Sequence, residues 1–247
     1  MLFTISQNLF TDDPTVITVV KCINDAVTMR HLQPLLDAPD CVIGISATYD
    51  WECQLSSVAF STLSRVLVVN IPMSKDAVKK KCVAQSWRLI ENHFLVNSKY
   101  QKYAFRMDQL AVALYLDSSV CINDAVDMLS VTTGDNRQSL QALMNAMGGE
   151  TLLLKTNVKS LFFHTSGSPT VDTAANVALQ AWAACKAATL PHMSSRFASI
   201  PRIDTLSIPK AVWNLINLCI APFNALQKPS VWMLWHGSSD ARIVWMP

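Results

Sequence analysis

The chain has 247 residues, of which 51% are apolar and only 15% charged, and its formal net charge is +2. That length suits one domain with an appendage or two small domains, and the apolar share excludes a disordered chain. So small a charge does not by itself argue for nucleic acid, and with six glycines there is neither a P-loop nor a GxGxxG phosphate loop.

The N-terminal "MLFTISQNLFTDDP" lacks the basic and long apolar regions of a signal peptide. No apolar run approaches the roughly 18 residues that span a bilayer. The best candidate, "AVWNLINLCIAPFNAL", is interrupted by Asn214, Asn217, Pro222 and Asn224, so a soluble protein without a membrane partner is expected. Seven cysteines, at 22, 41, 53, 82, 121, 185 and 219, form no CxxC pair. They read as reduced core residues of an intracellular protein, nuclear or cytoplasmic, with no zinc site and no cofactor.

In chain order, "TVITVV" (15–20) is β-branched and reads as a strand, followed by a helix over "CINDAVTMRHLQPLL" (22–36) with Ile23, Val27, Leu32 and Leu35 near helical spacing. Strands at about 41–47, 54–61 and 65–71, joined by short connections, predict an antiparallel meander. A helix over 74–94, capped by Ser74, buries Val83, Trp87, Ile90 and Phe94. "KYAF" (102–105) is a short strand, 106–116 a helix, and "INDAVDML" (122–129) a helix or turn. The helix over 136–147 stops at Gly148-Gly149, because glycine accepts a left-handed backbone. The longest helix, 171–190, carries Ala174, Ala178, Ala181 and Cys185, small residues that admit close approach to a sheet, and stops at Pro191. Residues 191–247 hold six of the eleven prolines and four of the seven tryptophans, which marks an extension that packs on the core or forms a partner surface. "CINDAV" occurs at 22–27 and 121–126, but the flanks do not match and no duplication follows.

Four stretches over residues 15–190 resemble the RNase D and Werner-type 3′–5′ exonucleases of the DEDD superfamily. "CVIGISATYDWECQLSSVAFSTLSRVLVVNI" (41–71) looks like the first motif, a hydrophobic strand ending in Asp-x-Glu before two more strands, with Ser46 and Thr48 at the acidic positions. "KYAFRMDQLAVALYLD" (102–117) is similar to the second motif, and Asp108 matches its aspartate. "SLQALMNAMGGETLLLKT" (139–156) resembles the family's Ser-Leu helix, turn and lysine. "TAANVALQAW" (173–182) looks like Tyr-Ala-Ala-x-Asp-Ala, with Thr173 for the tyrosine and Val177 for the aspartate. The resemblance implies an α/β, RNase H-like fold with a mixed central sheet flanked by helices over 1–190, plus the Pro/Trp-rich extension 191–247.

Such enzymes hold two metal ions through converging carboxylates. With Ser46, Thr48, Thr173 and Val177 at four family positions and Asp108 as the remnant, the resemblance implies a pseudo-exonuclease with no metal site. Asp50-Trp51-Glu52 offers a displaced Asp-x-Glu, whose plainer reading is an exposed hairpin; as ligands they would make the chain a metal-dependent exonuclease. The five histidines have no zinc spacing, and "HTSGS" (164–168) lacks a nucleophile elbow and reads as a turn. Lys75, Lys79, Lys80, Lys81 and Arg88 on one helix, with Lys99, Lys102 and Arg106 beside the second motif, are candidate phosphate contacts. Tyr100, Tyr103 and Phe105 are candidate stacking residues, although "KDAVKKK" also suits a plain solvated helix face. Two functions follow: an inactive adaptor for single-stranded RNA or DNA, RNA foremost, or a protein-interaction scaffold using the C-terminal segment. Protein partners and a homodimer are compatible with either.

Overall fold

The computed structural model describes residues 1–23, 26–50, 53–71, 85–132, 136–137, 139–163, 173–207, 232–234 and 242–244. Seven strands form one mixed sheet: β1 (Leu2–Ser6), β2 (Val16–Ile23), β3 (Val42–Tyr49), β4 (Leu55–Ser61), β5 (Arg65–Asn70), β6 (Gln101–Ala104) and β7 (Ala125–Asp127). Their order across the sheet is β1-β2-β5-β4-β3-β6-β7. The meander β3-β4-β5 is antiparallel, β6 and β7 extend it in parallel beyond β3, and β2 joins β5 in parallel on the other side. A meander continued from its first strand by parallel strands, with helices on both faces, is the RNase H-like arrangement.

Helices α1 (Met29–Leu36), α2 (residues 85–95, with a π-helical end at Glu91–Leu95) and α3 (Met107–Ser118) cover one face. Trp87, Ile90 and Phe94 are buried there, as their spacing predicts. The other face is covered by α4 (Leu140–Ala146), α5 (Lys155–Phe162), α6 (Thr173–Thr189) and α7 (Pro191–Ala198). A separate two-stranded sheet pairs β8 (Trp232–Leu234) with β9 (Arg242–Val244).

Helix α6 packs chiefly on β3 and β4. Gly44 makes this close approach possible: a Cβ there would overlap the Ala181 carbonyl oxygen and lie 2.5 Å from the Cys185 nitrogen. Ala174, Val177, Ala178, Ala181 and Cys185 are all buried in this contact layer. Trp182 anchors the helix by donating its indole N–H to Leu63 O at 2.8 Å and by an edge-on contact with Phe10.

Several elements differ from their sequence expectations. Residues 22 and 23 belong to β2, because Cys22 and Ile23 pair with Val69 and Asn70; α1 begins only after the extended Thr28, whose N–H donates to His31 Nδ1. Strand β3 runs to Tyr49 with an irregularity after Thr48, and the turn follows at Asp50. "INDAVDML" supplies edge strand β7 and a 3₁₀ turn, since pairing with β6 overrides its helical look. Helix α4 is shorter than expected, starting after Ser139, which accepts from Ala142 N–H; Gly148 and Gly149 end it with φ of 114° and 101°.

Beyond Pro191, which serves as the first residue of α7, the chain continues into the core: Met193 and Phe197 are buried, and Ile203 bridges Ala125 at the β7 edge. Of the five described cysteines only Cys185 is buried and Cys53 is exposed, a correction to the reading of them as core residues. The cap of the helix at Ser74, the HTSGS turn and most of residues 208–247 lie outside the described residues.

The Gly44 contact yields a direct test. Gly44→Ala is expected to destabilise the fold by about 3 kcal/mol, the upper end for overpacking, because backbone atoms of α6 must move. Urea denaturation with an unchanged slope and a lower midpoint would show it.

Candidate functional site

On the face of the sheet beneath α6, polar residues gather toward one end of four strands, over two adjacent rows. The series are Ile17, Val19, Lys21 on β2; Val66, Val68, Asn70 on β5; Ala59, Ser57 on β4; and Gly44, Ser46, Thr48 on β3. Alternation along a strand puts each series on one face. Pairing aligns Thr48, Ser57, Asn70 and Ile23 in one row. The carboxyl ends of β2, β3 and β5 point the same way there, the place where open sheets with parallel strands form their crevices.

A cleft of about 360 Å³ opens at this level, lined by Lys21, Ile23, Thr48, Ser56, Ser57, Asn70, Ile71, Thr173 and Ala174. Thr48 and Thr173, matched from the sequence to two motifs more than a hundred residues apart, therefore share one cleft. Thr48 Oγ1 lies 2.6 Å from Ser57 Oγ and 2.9 Å from Ser56 Oγ. Ser46 sits deeper and donates to Gln180 Oε1 at 2.8 Å, while Gln180 Nε2 donates to Leu161 O at 2.9 Å. Val177 is 0% exposed and belongs to the core under α6.

Asp108 is not among the cleft-lining residues. It stands in the first turn of α3, where its Oδ1 accepts from Gln109 N–H. Burial of the phenol pushes the Tyr49 hydroxyl above its usual range, and the Asp117 and Asp108 carboxylates add to the rise against Arg106. Asp50 is spent on its own turn: its N–H donates to Gln54 O, and its Oδ1 accepts from Gln54 N–H at 2.9 Å. Glu52 lies outside the described residues.

A pair of hard divalent cations requires several converging carboxylate oxygens. The matched positions offer two hydroxyls already engaged with neutral partners, a threonine and a buried valine, and these residues do not fit the metal pair. Among the described residues no group of three His, Cys, Asp or Glu side chains is placed to hold a metal ion.

One carboxylate that sequence reasoning missed is Asp127, at the end of β7 and 7% exposed. Its Oδ1 accepts from Arg106 N–H (2.9 Å) and Met107 N–H (3.2 Å), and its Oδ2 from Ser130 Oγ (3.0 Å). Burial and nearby Asp108 raise its pKa, and these hydrogen bonds offset part of the rise. It serves the start of α3, where the first N–H groups have no helical partner and Arg106 takes a left-handed φ of 66°. The signal was its place directly after the apolar pair Ala125-Val126, readable only once β7 is known to be a strand.

The basic residues divide. Lys99 and Arg106 are exposed, as is Arg88 on α2. Lys102 is 0% exposed, with Nζ donating to Asn97 O and Asn123 Oδ1, so it is a core residue and not a phosphate contact. Burial pushes its ammonium down to about 8, against the opposing pull of Asp124 and Asp204. Tyr100 and Tyr103 are buried as well, bonded to Leu36 O and Gln101 Oε1, and Phe105 packs edge-on against Phe162; the two tyrosines are not free to stack on bases. Lys75, Lys79, Lys80 and Lys81 lie outside the described residues. No helix among the described residues is long and apolar enough to cross a membrane.

No protein-family model matches the chain, and no curated protein matches it at a significant level. Solved structures do overlap with it. The EXO domain of Aedes aegypti Nibbler matches at 14% identity and a TM-score of 0.42, over 68% of this chain and 82% of that one. Trypanosoma brucei RNase D, in complex with RNA U12, matches at 12% identity and 0.43, over 91% and 76%. The EXD2 exonuclease domain soaked in Mn and dGMP matches at 16% identity and 0.34, over 52% and 68%. At these identities the overlaps say nothing about what this chain binds or cuts.

Two outcomes are expected from the buried polar groups. Asp127→Ala removes the acceptor for two backbone N–H groups and should cost about 1–3 kcal/mol, with Asp127→Asn milder because its oxygen still accepts. Lys102 binds its proton less tightly when folded, so the unfolded chain carries more protons between about pH 8 and the ordinary lysine range. Stability from this residue therefore rises with pH across that window, and Lys102→Met should remove the rise. Denaturant titrations of wild type and variant at pH 7.5 and 10 check the difference.

Proposed function

We propose that this chain is a non-catalytic 3′–5′ exonuclease-like module that works by binding single-stranded nucleic acid, RNA foremost. The observation that carries this is the chemistry beneath α6: Ser46 bonds to Gln180, Thr48 to Ser56 and Ser57, and Val177 is sealed in the core. Every one of these partners is neutral. A metal-dependent nuclease needs charge where this chain has hydroxyls and methyl groups. The strand-end cleft, with Lys21 at its edge, keeps an opening of a kind that suits a phosphodiester. In this reading residues 1–190 form the exonuclease-like unit, and 191–247 form an extension whose first part, through α7 and Ile203, packs on it.

A second reading is supported by a different observation. Burial of Lys102, Tyr100 and Tyr103 removes three candidate contacts from the outer nucleic-acid path, which favours a protein-interaction scaffold carried by the C-terminal segment.

A paired assay on labelled single-stranded RNA and DNA separates these. Under the first reading both metal conditions, Mg²⁺ and Mn²⁺, leave the strand intact. Binding should then weaken about 20-fold between 50 and 200 mM salt, as expected for roughly three phosphate contacts on a single strand. Absence of binding would move the weight to the scaffold. Metal-dependent cleavage lost in Asp50→Ala or Glu52→Ala would overturn both and make the chain an enzyme.

A further inference from the structure

We infer that the cleft at the strand ends is a metal-independent oxyanion site, which holds a phosphate group through Lys21, Asn70 and the hydroxyls of Thr48, Ser56 and Ser57. This deepens the proposed function by assigning its phosphate contact to a particular place. In the resemblance drawn from the sequence, carboxylates at this end of the sheet attract cations, and the cations attract phosphate. Here the sign of the site is inverted, so the intermediary is no longer needed.

The inference rests on what lines the cleft. Lys21 is the only charged residue among the described lining residues, and no described carboxylate pairs with its ammonium. It sits one row below Ile23 on β2, on the face beneath α6, and lines the cleft. Asn70 aligns with Ser57 across β5 and β4 and adds an amide donor. Thr48, Ser56 and Ser57 share two oxygen–oxygen contacts. Three hydroxyls carry three protons, and two contacts use two of them, so at least one O–H is left over for a ligand. An ammonium, an amide and a hydroxyl lining one cleft, with no carboxylate among its described lining residues, match an oxyanion and repel a metal cation. Phosphate is also the group that a single-stranded nucleic acid, a nucleotide and free inorganic phosphate share.

The test titrates the full chain, in EDTA, with inorganic phosphate by calorimetry, and with a short labelled RNA bearing a 3′-terminal phosphate by fluorescence anisotropy. The expected result is saturable phosphate binding in EDTA that falls at least tenfold in Lys21→Met. Lys21→Arg should stay within a few-fold of wild type, and the exposed Lys155→Met should leave binding unchanged. Thr48→Val, which keeps the branched shape and removes the hydroxyl, provides a second variant if Lys21→Met fails to fold, and should weaken phosphate several-fold. Phosphate binding that needs Mn²⁺, that is absent, or that ignores both variants would overturn the site. RNA bound by wild type and both variants alike would overturn it too, while leaving the nucleic-acid module standing. Phosphate bound through Lys21 with no RNA bound would support the site and sink the module.

Discussion

The contact between Gly44 and the backbone of α6 sets the geometry on which the rest of this protein depends. A helix can approach a sheet so closely only where both sides lack side-chain bulk, and β3 offers a glycine opposite Ala181 and Cys185. Close approach places Val177 and Ala178 in the core, puts Gln180 over Ser46, and brings the first turn of α6 to the ends of the strands. Trp182 locks the position by reaching Leu63 at the β4–β5 connection. The cleft is what remains where the helix ends and the sheet continues.

That same closeness explains why positions 46, 48 and 177 carry neutral groups. An ionised carboxylate beneath α6 would lose its water and require a compensating cation, at a penalty of several kcal/mol when none is present. Serine and threonine at positions 46 and 48 find partners nearby, and valine at 177 needs none. Where the chain does bury a carboxylate, at Asp127, it surrounds it with two backbone N–H donors and a serine hydroxyl. Among the described residues two buried nitrogens lack such service, Trp87 Nε1 and Arg202 Nη1, neither of which has a hydrogen-bond partner.

The rule reaches the basic residues as well. Lys102 follows directly on the first residue of β6, in a sheet covered on both faces, and two acceptors stabilise it there. Lys99, two residues before the strand, is exposed and holds its ammonium over the Tyr100 ring, 5.2 Å from the centroid. Sequence proximity to a motif therefore says little about which lysine can meet a phosphate. Lys21, by contrast, was not singled out in the sequence, because a lone lysine at the end of an apolar strand looks like a strand terminus.

Much of the architecture was legible from patterns of short range. The β-branched runs of β2, β4 and β5, the small-residue stripe of α6 and the double glycine after α4 depend on steric rules that operate within a few residues, and so does the absence of carboxylates at 46, 48 and 177. What the sequence could not decide were features created by long-range pairing. Residues 22–23 became strand because β5 offered them hydrogen-bond partners, and "INDAVDML" became an edge strand because β6 did. Lys102, Tyr100 and Tyr103 looked like surface until the sheet turned them inward. The cleft joins β2, β3, β4, β5 and α6 from positions 21 to 174, and only tertiary structure brings such distant residues together, since the sheet pairs strands irrespective of their separation along the chain.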